Sequence, residues 1–327
     1  MQSLKNSVAT VLIALGLVAS GFAHAEWPHD KPITIIVPFP PGGVTDVLSR
    51  MVAKELSVSL GQAVVVQNRA GAGGLLGTRA AAQAPADGYT LFLSQIASHG
   101  SLPNLHKKLD YDPVKSFKPV ILLAAHPGVL VINPSKSPKT VEELIGLAKL
   151  NPGVLNYGSA GIGTTFHLSA ELFKALSNTD ITGIQYQGGA PAITALLGGQ
   201  VDIVFSDFAT ALPHVRSGTL RALGVTSKAR STAVPDIPAI AETPGMGDFE
   251  VLSWISLHYP AGVPDAIVQR VNLEANKAMR SSTLANWVAA GGGVARGGTP
   301  ADLAQHVDAE LAKWKKVVES AGIRTDQ

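Results

Sequence analysis

Three times along this chain a short apolar run ends in a glycine-marked turn and gives way to a helical pattern. The first occurrence is the most informative. Ile33-Thr34-Ile35-Ile36-Val37 is a β-branched run that reads as a buried strand. Pro38-Phe39-Pro40-Pro41-Gly42-Gly43 follows, after which Val44, Val47, Leu48, Met51, Val52, Leu56 and Leu60 recur at the spacing of one helical face. Residues 38–46 are therefore a strand-to-helix turn with two glycines at the helix start. The free N–H groups of a first turn point outward and the helix dipole favours negative charge there, so a small-anion site is expected. A plain Pro/Gly connection is the competing reading.

The other two turns come later. A strand over 154–157 leads through Gly158-Ser159-Ala160-Gly161-Ile162-Gly163-Thr164-Thr165 into a helix over 166–176. A strand over 181–186 leads through Gln187-Gly188-Gly189-Ala190-Pro191 into a short helix over 192–197, with Pro191 at the first helical position. Between and after them lie further strands over 63–66, 90–93, 119–124, 128–132, 201–205, 220–225 and 249–257. The accompanying helices cover 75–84, 209–217, 264–279, 284–290 and 300–320. Thr140 with Glu143 forms a capping-box signature ahead of another helix. Alternating strands and helices predict an α/β fold with parallel sheets. Ligands then bind outside the carboxyl ends of the strands, so two such units facing one another would surround one ligand with three helix starts.

The late elements need a sheet to pack on, and the first unit is their host. This gives domain 1 as 26–122 with 227–327, domain 2 as 123–226, and two connections crossing near 120 and 226 that form a hinge. Before them, residues 1–25 have the form of a secretory signal. Lys5 precedes an apolar core, and Ala23-His24-Ala25 fits a small-x-small site for cleavage after Ala25. The chain has no cysteine, which excludes disulfides, thiolate metal sites and lipid attachment of the bacterial lipoprotein kind. A periplasmic protein, exported and not lipid-anchored, is expected.

Several chemistries lack support. The formal net charge is +2, with no basic cluster beyond pairs such as Lys107-Lys108, so nucleic acid is not a partner. No P-loop occurs, and the nine histidines include no HxxH pair, so no metal site is expected. Gly71-Ala72-Gly73-Gly74-Leu75-Leu76-Gly77 imitates a dinucleotide fingerprint, but the next strand ends at Ser94-Gln95 instead of an acidic residue. Ser159 lacks the glycine two residues earlier that a nucleophile elbow requires; a hydrolase using it with His167 and Asp207 stays as an alternative. His167 fits a packed position or a pocket equally well, and Trp254, Trp287 and Trp314 are expected to serve packing.

The chain also carries a family resemblance. Lys31-Pro32-Ile33 through Pro38-Phe39-Pro40-Pro41-Gly42-Gly43 with Asp46, then Pro85-Ala86-Asp87-Gly88-Tyr89-Thr90-Leu91, resemble the Bug family. These are the TctC-like extracytoplasmic receptors of tripartite tricarboxylate transporters. The likeness continues through Leu155 to Gly163 with His167-Leu168, Gly188 to Ala192, Leu197 to Asp202, Leu220 to Leu223 and Val234 to Pro238.

The resemblance implies a two-domain periplasmic binding protein of type II-like fold. Two α/β domains would be joined by two crossover strands, with the ligand cleft between them. It implies a monomer without catalysis or cofactor. The ligand would be a dicarboxylate, tricarboxylate, acidic amino acid or aromatic acid, delivered to the permease subunits of a tripartite tricarboxylate transporter. Service as a ligand sensor for a membrane signalling protein is an alternative. In the family two loops hold a ligand carboxylate, largely through main-chain groups and ordered waters, without a dedicated arginine; none of the three turns here contains Lys or Arg.

By position, Phe39, Gly42, Gly43, Thr45 and Asp46 would form the first loop. Ser159, Gly163, Thr164, Thr165 and His167 would form the second, with Gly188, Gly189 and Ala190 beside it, and Ser94 and Asp207 complete the candidate set. The chain departs from the family at Thr164, where serine is usual, at Gln187 and Ala195, where lysine and aspartate are common, and at Ser206, where an acidic residue often stands. Asp207 either meets an amino or hydroxyl group of the ligand or caps a helix.

Overall fold

The computed structural model describes residues 27–106 and 108–322. The β-branched run forms β1 (Ile33–Val37), with Ile33, Ile35 and Val37 fully buried. The chain leaves the sheet at Pro38. The amphipathic α1 (Val44–Leu60) then packs back, its Leu48, Val52, Leu56 and Leu60 sharing a core with β1. It stops at Gly61, whose φ of 64° is left-handed and suits a residue without Cβ. β2 (Val64–Asn68), α2 (Leu75–Ala82) and β3 (Thr90–Gln95) repeat the unit, and β1 lies parallel to β2 and β3 on either side.

A π turn over Ala97–Ser101 and the short α3 (Leu102–Leu105) lead to β4 (Phe117–Ile132). A second unit follows: α4 (Val141–Leu150), β5 (Asn156–Ser159), α5 (Thr165–Ser177), β6 (Thr182–Gln185), α6 (Gly189–Leu197), β7 (Ile203–Asp207), α7 (Phe208–Arg216) and β8 (Arg221–Val225). Here β5 runs parallel to β6 and β7. The chain finishes with β9 (Leu252–Pro260), α8 (Asp265–Met279), α9 (Ser282–Ala290), β10 (Val294–Ala295) and α10 (Pro300–Ala321). The strand order is β2-β1-β3-β9-β4-β7-β5-β6, with β8 and β10 also paired to β4.

Three local expectations need correction. The strands expected over 119–124 and 128–132 are one 16-residue strand. Its first part pairs with β9, and its last five residues pair with β7 and β8. Pro127 interrupts nothing, because its fixed φ is compatible with extended backbone. At Gly128 the strand is tied to Thr226: each backbone N–H reaches the other residue, Gly128 donating to Thr226 Oγ1 at 2.6 Å and Thr226 to Gly128 O at 2.9 Å. Thr226 Oγ1 also donates to Val251 O at 2.6 Å, so one buried threonine ties β4 to the residue just before β9. The Thr140 capping box is only half formed, since the Glu143 carboxylate takes the N–H of Lys139 and not that of Thr140. Finally, α6 starts at Gly189, placing Pro191 at its third position, still within the turn where a missing N–H costs nothing.

Val268, Val271, Ala275, Leu284 and Val288 of α8 and α9 join the core of β1 and α1, the host expected for late elements. The closing helix goes further. Its Leu303, Val307, Trp314 and Val317 share a core with Tyr157, Leu168 and Phe173 of the second unit. Glu310 fastens it, accepting the indole N–H of Trp254 at 3.0 Å and of Trp314 at 2.9 Å. The expected signal segment lies outside the described residues. Among the described residues no helix is long and apolar enough to cross a membrane.

Candidate functional site

A cavity of about 740 Å³ lies where the turns after β1, β5, β6 and β7 converge. Four helix starts contribute to its wall: Gly43, Val44 and Thr45 of α1, Thr164 and Thr165 of α5, Gly188 and Gly189 of α6, and Asp207 and Phe208 of α7. Two of them, α5 and α7, are closed by their own caps. Thr164 Oγ1 accepts from His167 N, and Asp207 Oδ1 accepts from Thr210 N at 2.7 Å while Oδ2 takes the Thr210 hydroxyl at 3.0 Å. The starts at Gly43 and Gly188 have no side-chain cap. Their first-turn N–H groups, at the positive ends of two helices, are left for a partner from the cavity.

The first loop is held rigid from below. Asp46, buried at 3 % exposure, accepts Gly42 N–H at 3.0 Å, Asn68 Nδ2 at 2.9 Å, and Arg50 Nη2 and Nε at 2.9 and 3.1 Å. Hydrogen bonding from the Arg50 guanidinium, reinforced by Gly42 N–H, holds its pKa down at about 2. Asn68 Nδ2 also donates to Phe39 O at 3.1 Å, so the loop is clasped to the end of β2. Prolines at 38, 40 and 41 limit its freedom further, leaving little entropy to lose on binding.

The second loop is organised in the same way. Ser159 is fully buried, its hydroxyl bonded to both main-chain groups of Gly161 at 3.2 Å. His167 Nδ1 accepts Gly163 N–H at 3.3 Å, which places any neutral-ring proton on Nε2. Burial lowers the His167 pKa, with Glu171 opposing and Lys174 assisting. Gly163 O accepts the Ser101 hydroxyl at 2.8 Å, joining this loop to the π turn after β3.

Phe39, Gly43, Thr45, Gly163, Thr164, Thr165, Gly188, Gly189 and Asp207 line one cavity. Gly42, Asp46, Ser159 and His167 stand behind its wall and shape the loops. Ala190 is exposed and outside it. Ser94 is elsewhere: its buried hydroxyl bonds Ser256 Oγ at 2.6 Å and His258 Nδ1 at 2.7 Å. Its neighbour Gln95, on the other side of the strand, is the one that reaches the cavity. No hydrogen bond among the described residues joins Ser159, His167 and Asp207, each of which is engaged by nearby groups of its own segment.

The sequence reading missed His126, Thr226, Ser253 and Trp287 in the wall, and it named Ser206 only as a departure from the family pattern. Glycine turns were the signal followed, and these residues come from strands and from a helix end. Trp287, expected to pack only, also faces the cavity. Among the described residues the only titratable side chains in the lining are His126 and Asp207.

Comparisons agree with this geometry. Residues 48–323 match the family described as "Tripartite tricarboxylate transporter family receptor". Protein BugT of Bordetella pertussis is 37 % identical over 319 residues, covering 97 % of either chain. Among solved structures, "R. palustris Rpa4515 with adipate" superposes with a TM-score of 0.81 at 35 % identity, covering 91 % of this chain and 99 % of its own. "MatC (Rpa3494) from Rhodopseudomonas palustris with bound malate" gives 0.77 at 33 % identity, covering 89 % and 99 %. The family match and the likeness to BugT show that the chain belongs to the tripartite tricarboxylate transporter receptor family, a family of periplasmic solute-binding proteins.

Proposed function

We propose that this protein is exported to the periplasm, captures a small carboxylated solute and delivers it to the membrane permease subunits of a tripartite tricarboxylate transporter, without catalysing a reaction. The observation that carries this is the pair of uncapped helix starts, at Gly43 and Gly188, facing one cavity without Lys or Arg in its described lining. A carboxylate satisfies such N–H groups and the dipoles behind them. The adipate and malate held by two relatives are acids of this class.

In this reading 26–122 with 227–327 and 123–226 act as two domains that close on the solute. The loop residues Phe39, Gly43 and Thr45 meet it from one side, with Gly42 holding the loop behind them, and Gly163, Thr164, Thr165, Gly188 and Gly189 from the other. Thr226, in one crossing segment and bonded to Gly128 of the other, would mark the hinge. Closure hides the solute from water and gives the permease a shape to recognise. Residues 1–25 serve as the cleaved signal.

A panel of mono-, di- and tricarboxylates, acidic amino acids and aromatic acids, scored by thermal shift and then calorimetry, tests the reading. A solute at a hundred times its Kd should stabilise the protein by about 2.7 kcal/mol, a rise of several degrees in Tm. No shift with any acid would sink it.

A further inference from the structure

The polar groups of the cavity fall into two sets. One is the main chain at the glycine loops. The other lies where β4 pairs with β7, in register Gly128 with Asp207 and Val129 with Ser206. Ser206 is 2 % exposed, and its Oγ has no hydrogen-bond partner; Nδ1 of His126, two residues before Gly128, is likewise buried and without one. Both residues line the cavity, together with Asp207. Burial holds the His126 pKa below the usual histidine value, against the Asp207 charge and a main-chain hydrogen bond at Ser253. Elsewhere the wall is largely apolar, with Phe39, Ile96, Leu102, Phe166, Phe208 and Trp287.

Resting on the receptor reading above, we infer that His126, Ser206 and Asp207 form a second subsite that reads the far end of the solute and selects a hydrogen-bond donor there. The solute is then a monocarboxylate with an apolar body and a terminal hydroxyl or ammonium, not a di- or tricarboxylate. A second ionised carboxylate would meet a neutral imidazole, an aspartate and no cation among the described lining residues, and like charges brought together out of water repel. A hydroxyl or ammonium instead donates to the imidazole lone pair, to the serine oxygen or to the lone pairs Asp207 keeps beyond its cap. The Ser206 hydroxyl is desolvated and unpaired and can donate or accept, so it rewards any polar far end over an apolar one. A ligand that cannot pair it gains nothing there. The choice of a donor rests on Asp207 and His126 Nδ1, which only accept.

Calorimetry at pH 8 on the full exported protein compares hexanoate, 6-hydroxyhexanoate and adipate, then benzoate, 4-hydroxybenzoate and terephthalate, with citrate alongside. The hydroxy acid of a series should bind about tenfold tighter than its plain and dicarboxylate partners, a 1.4 kcal/mol preference. Ser206→Ala should reduce the preference over the plain acid severalfold, with His126 and Asp207 still present, and leave the plain acid within about twofold. It should leave the unliganded Tm unchanged or raised, because it removes an unpaired buried hydroxyl. A preference for adipate, terephthalate or citrate overturns the subsite while sparing the receptor reading, as does an equal loss of plain and hydroxy acids in Ser206→Ala. Binding of none of the acids overturns both.

Discussion

At the scale of single residues, the glycines divide into those that serve the ligand and those that serve the chain. Gly43 has an ordinary extended backbone, φ −79°, and a Cβ built on it meets nothing within 4 Å. Gly163 has φ +78°, and its Cβ would lie 2.9 Å from Leu105 Cδ1. Gly43→Val should therefore keep the unliganded Tm while weakening every bound acid alike, by about tenfold or more, since it places bulk over N–H groups common to all. Gly163→Ala should instead destabilise the fold by about 1–3 kcal/mol through strain and contact. Parallel calorimetry and thermal melts on the two variants separate these roles; a change in preference among acids in Gly43→Val would contradict the shared-loop reading. Sequence reasoning could name both glycines as turn residues, because strand-to-helix patterning marks such turns. It could not tell wall from scaffold for Asp46, Ser159 or His167. That distinction depends on where Arg50, Asn68 and the main chain of Gly161 and Gly163 come to lie.

At the scale of elements, most strands and helices were legible from period and turn chemistry, and the exceptions have a common cause. Pro127-Gly128 has the composition of a break, but long-range pairing to β7, β8 and β9 keeps β4 extended through it. The same blindness to distant partners hid His126, which that pairing brings to the cavity. The closing helix α10 was clear from its Thr299 cap and its period, but the fastening of Glu310 to two tryptophans was not. Glu310→Ala strands two buried indole donors and should cost about 2–4 kcal/mol in chemical denaturation. Glu310→Gln keeps an acceptor oxygen and should cost clearly less. Equal losses in the two variants would assign the effect to the charge and not to the acceptor oxygen.

At the scale of the whole molecule, pH reports on the buried histidines. His99 and His258 stack at 4.4 Å with both rings buried. Burial lowers the His99 pKa to about 3 and that of His258 well below the ordinary value, His99 adding to the second. The unfolded chain binds these protons near pH 6.5 and the folded chain does not. Their neutral burial thus costs nothing above pH 6.5, and stability falls as pH drops from there toward 3. Asp46, paired with Arg50, adds a further loss only below about 3.8, as the pH nears its folded value of about 2. His99→Phe should flatten the stability curve between pH 6.5 and 3 by about one proton's slope, measured by denaturant unfolding at stepped pH. An unchanged slope would remove His99 from the account.

The continuity of β4 has a last consequence, for how the molecule comes apart. Proteins of two lobes often melt lobe by lobe, each with its own core. Here residues 117–127 complete the sheet of one unit and residues 128–132 that of the other, with no loop between them, while α10 contributes to the core that both share. Neither unit can lose its order without withdrawing a hydrogen-bonded neighbour from the other. Unfolding is accordingly expected as a single transition, and pieces divided near residue 128 are expected not to fold alone; two separate transitions in a calorimetric scan would contradict this.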